Sequence, residues 1–257
     1  MQILIIIFSF VFVFGQYAYG VEIIHIDIGR GDVDVIYPSD YSEDKPLPVI
    51  IGLHGFTGNK RQLDNYWKLS RLVDHKNFIL VYPQGTKDSK GRTFWNATEA
   101  CCNMEHLQVD DAGYLMALLD TIEQKFPVDP DSIHFIGWSN GGFMSYRMAC
   151  EHSDRIASFV SLAGANYEME GVCANASPVH VLQVHGTEDA IVEYYDKGSM
   201  TAEKNKNIPG QDDKFRTGIR IRFIFSHHCN DYRPRSSGNI NLLDHSFTCP
   251  TTFHNQI

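Results

Sequence analysis

The chain has 257 residues, a formal net charge of −9 and 43% hydrophobic residues. The acidic balance argues against nucleic acid and acidic membrane surfaces as partners, because both carry negative charge themselves. The length allows one sizeable core, and no Pro/Ser-rich linker, repeat or low-complexity tract indicates a second domain.

The first twenty residues predict a secretory signal peptide. Residues 1–20 contain an apolar run that ends in the small-x-small site Ala18-Tyr19-Gly20, and this run is too short to span a bilayer. An uncleaved N-terminal anchor is the alternative, because no Lys or Arg precedes the run. We expect cleavage to leave a secreted, extracellular protein without a membrane partner.

The cysteines fit an oxidising compartment, and their pairing is left open by the sequence. They are Cys101, Cys102, Cys150, Cys173, Cys229 and Cys249. No C-x-x-C pair or Cys/His spacing indicates a metal site, so we expect no metal or other cofactor. Asn96-Ala97-Thr98 and Asn175-Ala176-Ser177 are glycosylation sequons.

Strand-like segments alternate with helix-like segments, which predicts an α/β fold with a doubly wound, mostly parallel sheet. The predicted strands are 21–28, 33–37, 46–53, 78–82, 133–136, 156–162, 179–184 and 218–226. The predicted helices cover 63–72, 109–126 and the segment that follows Gly142, and a polar loop lies at 88–102. In such sheets, ligands bind where the strands end.

Gly137-Trp138-Ser139-Asn140-Gly141-Gly142 joins a predicted buried strand to a predicted helix. Strand, G-x-S-x-G and helix together are typical of a nucleophile elbow, in which a strained turn presents the serine and requires very small neighbours. The pattern alone arises by chance in roughly one chain in ten of this composition. The strand before it and the helix after it favour catalysis over a structural turn, so we predict Ser139 as the nucleophile.

A serine hydroxyl becomes a good nucleophile when an imidazole removes its proton and a carboxylate orients that imidazole. In the elbow architecture these groups follow the serine in the order acid, then histidine. The loop after strand 179–184 contains Glu188 and Asp189. We predict Asp189 as the acid, with Glu188 as the second candidate and a solvated loop carboxylate as the structural alternative.

Four histidines follow Asp189 and are therefore candidates for the base: His227, His228, His245 and His254. His227 and His228 stand directly after predicted strand 218–226, at the end of a strand. We choose His228 by a small margin, and a non-catalytic surface pair is the alternative.

The oxyanion of the tetrahedral intermediate needs two preorganised N–H donors. By position these are the backbone amides of Asn140, which follows the nucleophile, and Phe56, in the glycine-rich loop after strand 46–53. His54 precedes the serine, so we interpret it as a residue that shapes this loop.

The chain resembles the secreted esterases grouped with polyhydroxybutyrate depolymerases and the feruloyl and acetylxylan esterases. The matching segments are LHGFTGN (53–59), VYPQGT (81–86), FWNATEACC (94–102), VDDAGY (109–114), VDP (128–130), GWSNGG (137–142) and HGTED (185–189). The resemblance implies an α/β-hydrolase fold, with Ser139 as nucleophile and Asp189 as triad acid. We interpret Asp110-Asp111 as structural, because acidic residues at a helix start favour its dipole.

The C-terminal part departs from this family pattern. The family continues with a strand, a Gly-Gly-x-His type loop that bears the catalytic histidine, and a closing amphipathic helix. None of these signatures is present from about Lys204 onward. We therefore divide the chain into a signal peptide (1–20), an esterase core (21–203) and an atypical C-terminal segment (204–257).

The leading hypothesis is a monomeric, secreted serine esterase that acts on polymer-linked or small esters: polyhydroxyalkanoate, feruloyl or acetyl esters. The alternative is a catalytically impaired secreted binding protein that retains the esterase scaffold, and a peptidase is a weaker third reading. Trp95, Trp138 and Tyr194 are candidates for stacking on a sugar or phenolic ring, although such residues more often pack in a core or loop.

Overall fold

The computed structural model describes residues 20–165, 173 and 176–192, together with the backbone of 219–224. Residues 1–19 of the predicted signal peptide, Tyr194 and the four candidate base histidines lie outside the described residues. No helix in the described ranges combines the length and hydropathy needed to cross a membrane.

The secondary structure follows the predicted alternation of strands and helices. The strands are β1 Val21–Asp27, β2 Asp32–Pro38, β3 Leu47–Leu53, β4 Ile79–Tyr82, β5 Thr86–Lys87, β6 Thr93–Phe94, β7 Val128–Trp138, β8 Ser158–Leu162, β9 His180–Gly186 and β10 Ile219–Ile224. The α-helices are α1 Lys60–Trp67, α2 Val73–Lys76, α3 Asp111–Lys125 and α4 Asn140–Glu151.

In the described ranges, eight strands form one sheet in the order β1-β2-β4-β3-β7-β8-β9-β10, and β5 and β6 form a small separate hairpin. The five strands from β4 to β9 in this order are parallel. The β1–β2 hairpin is antiparallel and also pairs antiparallel with β4. This sheet confirms the predicted α/β-hydrolase architecture, and it places the carboxyl ends of the parallel strands along one edge.

Strand β4 shows why the sheet is covered on both faces. All four of its side chains are buried, and successive side chains in a strand point to opposite faces. Ile79 and Val81 belong to the hydrophobic cluster that includes the apolar residues of α3 and α4. Leu80 and Tyr82 belong to a second cluster, with apolar residues of α1 and α2. The continuous apolar sequence of β4 therefore reflects burial on both sides.

The helix predicted over 63–72 is interrupted. Helix α1 ends at Trp67 because Lys68 adopts a left-handed conformation, with φ 55°, and a short 3₁₀ turn covers Leu69–Leu72. The Asp64 carboxylate accepts hydrogen bonds from the backbone N–H of Ser70 at 3.0 Å and from its hydroxyl at 2.6 Å. It also accepts one from the Tyr82 hydroxyl at 3.0 Å. These bonds fix the chain after the break to strand β4.

The acidic pair at the start of α3 is structural, as predicted. Asp110 caps the helix, because its carboxylate accepts a hydrogen bond from Gly113 N–H at 2.7 Å. Asp111 is completely buried and forms an ion pair with Arg30 from the β1–β2 turn. The second carboxylate oxygen of Asp111 accepts a hydrogen bond from the Asn96 N–H at 2.5 Å. The pair thus joins three segments that are far apart in the sequence.

Strand β10 occurs where a strand was predicted, and its direction decides at which edge of the sheet it ends. It pairs antiparallel with β9, with Ile219 opposite Gly186 and Ile224 opposite Val181. The end of β10 therefore lies beside the start of β9, at the edge of the sheet opposite the ends of the parallel strands. Placing His228 at the catalytic edge because it follows a strand required β10 to be parallel to β9, so the observed direction removes that argument.

Candidate active site

Ser139 occupies a strained turn between β7 and α4. Its backbone angles are φ 51° and ψ −117°, a conformation that L-residues rarely adopt. A Cβ atom at Gly137 would lie 2.0 Å from the Gly141 carbonyl oxygen, and one at Gly141 would lie 2.1 Å from the Leu53 carbonyl oxygen. Only glycine fits at these two positions, as the elbow pattern predicts. The half-buried serine is held at the end of the strand.

The glycine-rich loop after β3 lies directly beside this turn. A Cβ atom at Gly55 would lie 3.4 Å from Ser139 Cβ and 3.3 Å from the Trp138 carbonyl oxygen. Within the described ranges, the backbone N–H groups of Phe56 and Asn140 have no hydrogen-bond acceptor. The loop and the first turn of α4 therefore bring two candidate oxyanion donors next to the serine.

A single buried residue, Trp95, connects these two donor segments. The Asn140 side-chain oxygen accepts a hydrogen bond from Trp95 N–H at 2.7 Å, and its amide nitrogen donates to the Trp95 carbonyl at 2.9 Å. The indole Nε1–H donates to the His54 carbonyl at 2.9 Å. Trp95 is completely buried, so it has no free face for substrate stacking. Its role is to hold the elbow and the loop in register, a role that its position in a polar loop did not indicate.

Trp95→Phe tests this link, because it removes the indole donor while keeping an aromatic ring. The buried His54 carbonyl loses its partner, which we expect to lower the free energy of unfolding by about 1–3 kcal/mol. We also expect a lower kcat for the predicted ester hydrolysis, since the predicted oxyanion loop loses its anchor. Urea denaturation and steady-state kinetics measure both effects. Trp67→Phe, at a half-buried position in α1, is the matched control; equal losses in the two variants would contradict the proposed link.

His54 shapes the loop, as predicted, and its surroundings make it unsuitable as a base. Its Nδ1–H donates to the Gly55 carbonyl at 2.8 Å, and its Nε2 accepts a hydrogen bond from Gly85 N–H at 2.9 Å. Burial lowers the pKa of the imidazole to about 4, against the opposing effects of the Gly55 carbonyl and the Asp111 charge. The ring is therefore neutral at pH 7, and its lone pair is occupied by a backbone donor.

The lowered pKa of His54 predicts a pH dependence of stability. In the unfolded chain an imidazole has a pKa of about 6.5, so between about pH 6.5 and 4 the unfolded state binds more protons than the folded state. The stability that neutral His54 contributes is present above this window and is lost as the pH falls through it. The loss is on the order of 3 kcal/mol.

Urea denaturation of the protein and of His54→Gln at pH 7 and pH 4.5 measures this dependence. The variant is expected to be less stable at pH 7, and its stability is expected to fall less on acidification. His75→Gln, at an exposed position, is the control and should retain the dependence of the unmodified chain. Parallel pH profiles for all three proteins would contradict the assignment to His54.

Asp189 lies at the same edge of the sheet as Ser139, two strands away. Hydrogen bonds link the ends of the three strands. Ser139 N–H, after β7, donates to the Leu162 carbonyl of β8, and Ala163 N–H, after β8, donates to the Val184 carbonyl of β9, both at 2.8 Å. Asp189 follows β9 in a turn in which its N–H donates to the Gly186 carbonyl at 3.2 Å.

One oxygen of the Asp189 carboxylate organises its own loop. Oδ1 accepts hydrogen bonds from Ile191 N–H at 2.9 Å and Val192 N–H at 3.0 Å. Oδ2 lies 3.8 Å from His185 Nε2, which is too long for a hydrogen bond, and that nitrogen instead donates to the Val192 carbonyl at 2.7 Å. The carboxylate is thus oriented by two backbone donors, and Oδ2 accepts no hydrogen bond from the part of the chain that the structure describes.

The base is the part of the site that the structure does not describe. His228 and the alternatives His227, His245 and His254 lie outside the described residues. Within the described ranges, no imidazole forms a hydrogen bond with Ser139 Oγ. The structure therefore brings together the predicted nucleophile and the predicted oxyanion loop, and it places the predicted acid at the same edge.

Among the described residues, two disulfides are present, Cys101–Cys102 and Cys150–Cys173. The first lies near the elbow, because the Asn140 amide nitrogen is 3.7 Å from Cys101 Sγ.

The Asn96 side chain, at the first glycosylation sequon, forms structural hydrogen bonds. The amide nitrogen that glycosylation would modify donates to the Val109 carbonyl at 2.8 Å. Its oxygen accepts a hydrogen bond from Asn103 at 3.0 Å. Both polar groups of the Asn96 side chain therefore form hydrogen bonds that hold the loop before α3.

Comparison with known proteins relates the chain to esterases. The Esterase family model matches residues 29–216. A bifunctional acetylxylan esterase/xylanase from Neocallimastix patriciarum is 26% identical over 165 residues, which are 63% of this chain and 22% of that protein. Feruloyl esterase B from Piromyces equi is 28% identical over 165 residues, which are 63% of this chain and 30% of that protein. The chain thus spans less than a third of the length of either curated relative.

Among solved structures, a CE1 ferulic acid esterase from Anaeromyces mucronatus is similar to this chain. Its TM-score is 0.49 at 19% identity, and the match covers 69% of this chain and 74% of that chain. FphF, a fluorophosphonate-binding serine hydrolase from Staphylococcus aureus, has a TM-score of 0.45 at 20% identity and covers 60% of each chain.

Proposed function

Because the chain belongs to the Esterase family, whose model matches residues 29–216, we propose that it is a secreted carboxylic ester hydrolase that works through a serine acyl-enzyme. The observation that carries this proposal is the strained turn at Ser139, with the Gly55 loop in contact with it. A structural turn would have no need to keep, beside an accessible hydroxyl, two N–H donors that lack an acceptor among the described residues.

In the proposed reaction, Ser139 Oγ attacks the ester carbonyl carbon while an imidazole takes its proton. The backbone N–H groups of Phe56 and Asn140 bind the oxyanion, and each such donor typically stabilises the transition state by about 3 kcal/mol. The intermediate collapses, the alcohol leaves with the proton from the imidazole, and the acyl group stays on Ser139. Water then attacks the acyl-enzyme with the same imidazole as base, which releases the acid and restores the hydroxyl.

Asp189 is proposed to hold this imidazole in the correct tautomer through Oδ2. Its support is the carboxylate orientation given by the Ile191 and Val192 amides and its place at the catalytic edge. We assign the base to the C-terminal segment, with His228 as the candidate from the sequence. Since β10 runs antiparallel to β9, His228 has no geometric advantage over His227, and separate His→Gln variants of the four candidates identify the base by loss of turnover.

The proposed substrates are feruloyl or acetyl esters. The names of the relatives support this choice, since they are described as acetylxylan and feruloyl esterases. Polyhydroxyalkanoate is a third class that only the resemblance in sequence suggests. We propose that the protein acts as a monomer, without nucleic acid or membrane partners and without a cofactor.

Turnover of methyl ferulate and p-nitrophenyl acetate by the purified chain tests the proposed function. We expect hydrolysis of at least one ester well above the rate in buffer, and above that of the Ser139→Ala variant. A folded chain that binds these esters but hydrolyses none of them faster than Ser139→Ala would contradict the hydrolase proposal. That result would favour the alternative, a secreted binding protein on the esterase scaffold.

A further inference from the structure

Two aromatic rings are stacked on the surface next to the elbow. The ring centroids of Tyr66 and Trp138 are 5.6 Å apart and the rings are nearly parallel, at 9°. Tyr66 is 61% exposed and Trp138 is 38% exposed, which makes them the most exposed aromatic side chains among the described residues. Part of each side chain therefore remains in contact with water.

This pair lies within reach of the nucleophile. Trp138 immediately precedes Ser139 in the elbow. A Cβ atom at Gly55 would be 3.7 Å from the indole Cε3 of Trp138 and 3.4 Å from Ser139 Cβ. The indole, the serine and the oxyanion loop therefore meet around one glycine.

Both rings are carried by regular secondary structure. Trp138 is the last residue of β7 and pairs with Leu162 of β8. Tyr66 lies in α1, whose N-terminus is capped by Asn59 accepting a hydrogen bond from Gln62 N–H at 3.0 Å. A site on strands and helices loses little conformational entropy when a ligand binds, because its side chains are already positioned.

We propose that Tyr66 and Trp138 form a binding subsite, the aromatic platform, for a flat ring face of the ester substrate. This proposal rests on the proposed hydrolase function and names its recognition element. Two parts of a plant-type ester have such a face: the phenolic ring of the acyl group and the pyranose ring of the sugar whose hydroxyl is esterified. A ring on the platform would restrict the motion of the substrate and hold its ester bond near Ser139.

Binding measured without turnover tests the platform separately from catalysis. In the Ser139→Ala background, isothermal titration with methyl ferulate probes the phenolic ring, and titration with xylotriose probes the sugar ring. We expect Tyr66→Ala and Trp138→Ala each to weaken binding of at least one ligand by about tenfold. Trp138→Leu keeps an apolar side chain in the elbow if the alanine variant does not fold. Met104→Ala, at a residue that is 60% exposed, is the control and should bind like its parent.

The pattern of losses identifies the ligand. Weaker binding of methyl ferulate alone assigns the platform to a phenolic acyl group, and weaker binding of xylotriose alone assigns it to the sugar. Weaker binding of both ligands supports a general subsite for flat rings. Unchanged affinity for both ligands, or no binding of either ligand to folded Ser139→Ala, would overturn the platform. Because none of these titrations needs hydrolysis, an inactive enzyme with an intact platform remains distinguishable from an active enzyme without one.

Discussion

Replacing Ser139 with alanine is expected to lower kcat for p-nitrophenyl acetate by about 10⁴- to 10⁶-fold, because the acyl-enzyme can no longer form. The residual rate would come from substrate binding and the two oxyanion donors. Among the described residues, the Ser139 hydroxyl has no hydrogen-bond partner, so its removal should leave the urea midpoint close to that of the parent. A large loss of activity in a protein of unchanged stability is the signature of a nucleophile.

Ser145→Ala is the matched control for this experiment. Ser145 lies in the same helix that follows the elbow, is fully buried, and its hydroxyl donates to the Gly141 carbonyl at 2.9 Å. Its removal should lower stability by about 1 kcal/mol while turnover stays within a few-fold of the parent. If Ser139→Ala instead hydrolysed the ester as fast as Ser145→Ala, the acyl-enzyme mechanism at Ser139 would be wrong.

Gly141→Ala is expected to have the largest effect on stability. The added methyl group would lie 2.1 Å from the Leu53 carbonyl oxygen and 2.7 Å from that of His54. Both contacts are with the backbone of β3 and its loop, which cannot move away as the end of a flexible side chain can. We expect the free energy of unfolding to fall by about 3–5 kcal/mol, or the protein to become insoluble.

Gly186→Ala provides the comparison, since it adds the same methyl group at the end of β9. The nearest atom there is the Asp189 amide nitrogen, at 3.9 Å, which is an ordinary van der Waals distance. Urea denaturation of both variants measures the difference. Equal midpoints for the two alanine variants would show that the elbow is not packed against β3 as described.

The sequence predicted those parts of the fold that local patterns determine. Buried runs such as Leu47–Leu53 and Ile79–Tyr82 were predicted as strands because strands covered on both faces have continuous apolar sequence. The Ser139 turn was predicted because its sterics require glycine at fixed positions, and those requirements appear directly as sequence letters.

The sequence did not reveal features that depend on contacts between distant segments. The Trp95 link joins residues 41 and 45 positions apart, and nothing near Trp95 in the sequence marks its partners. The Asp64 carboxylate, which holds the chain after the break at Lys68, also accepts a hydrogen bond from the Tyr82 hydroxyl, 18 positions away. The direction of β10 is set by how the chain crosses the sheet, so alternation alone identified a strand but not the edge at which it ends.

Reaction with a fluorophosphonate probe, followed by peptide mapping of the folded protein, tests the activated serine most directly. We expect stoichiometric covalent labelling on the peptide that contains Ser139, and no labelling of the Ser139→Ala variant. A folded protein that stays unlabelled, or that is labelled on another residue, would contradict the assignment of Ser139 as a nucleophile with a proton acceptor beside it.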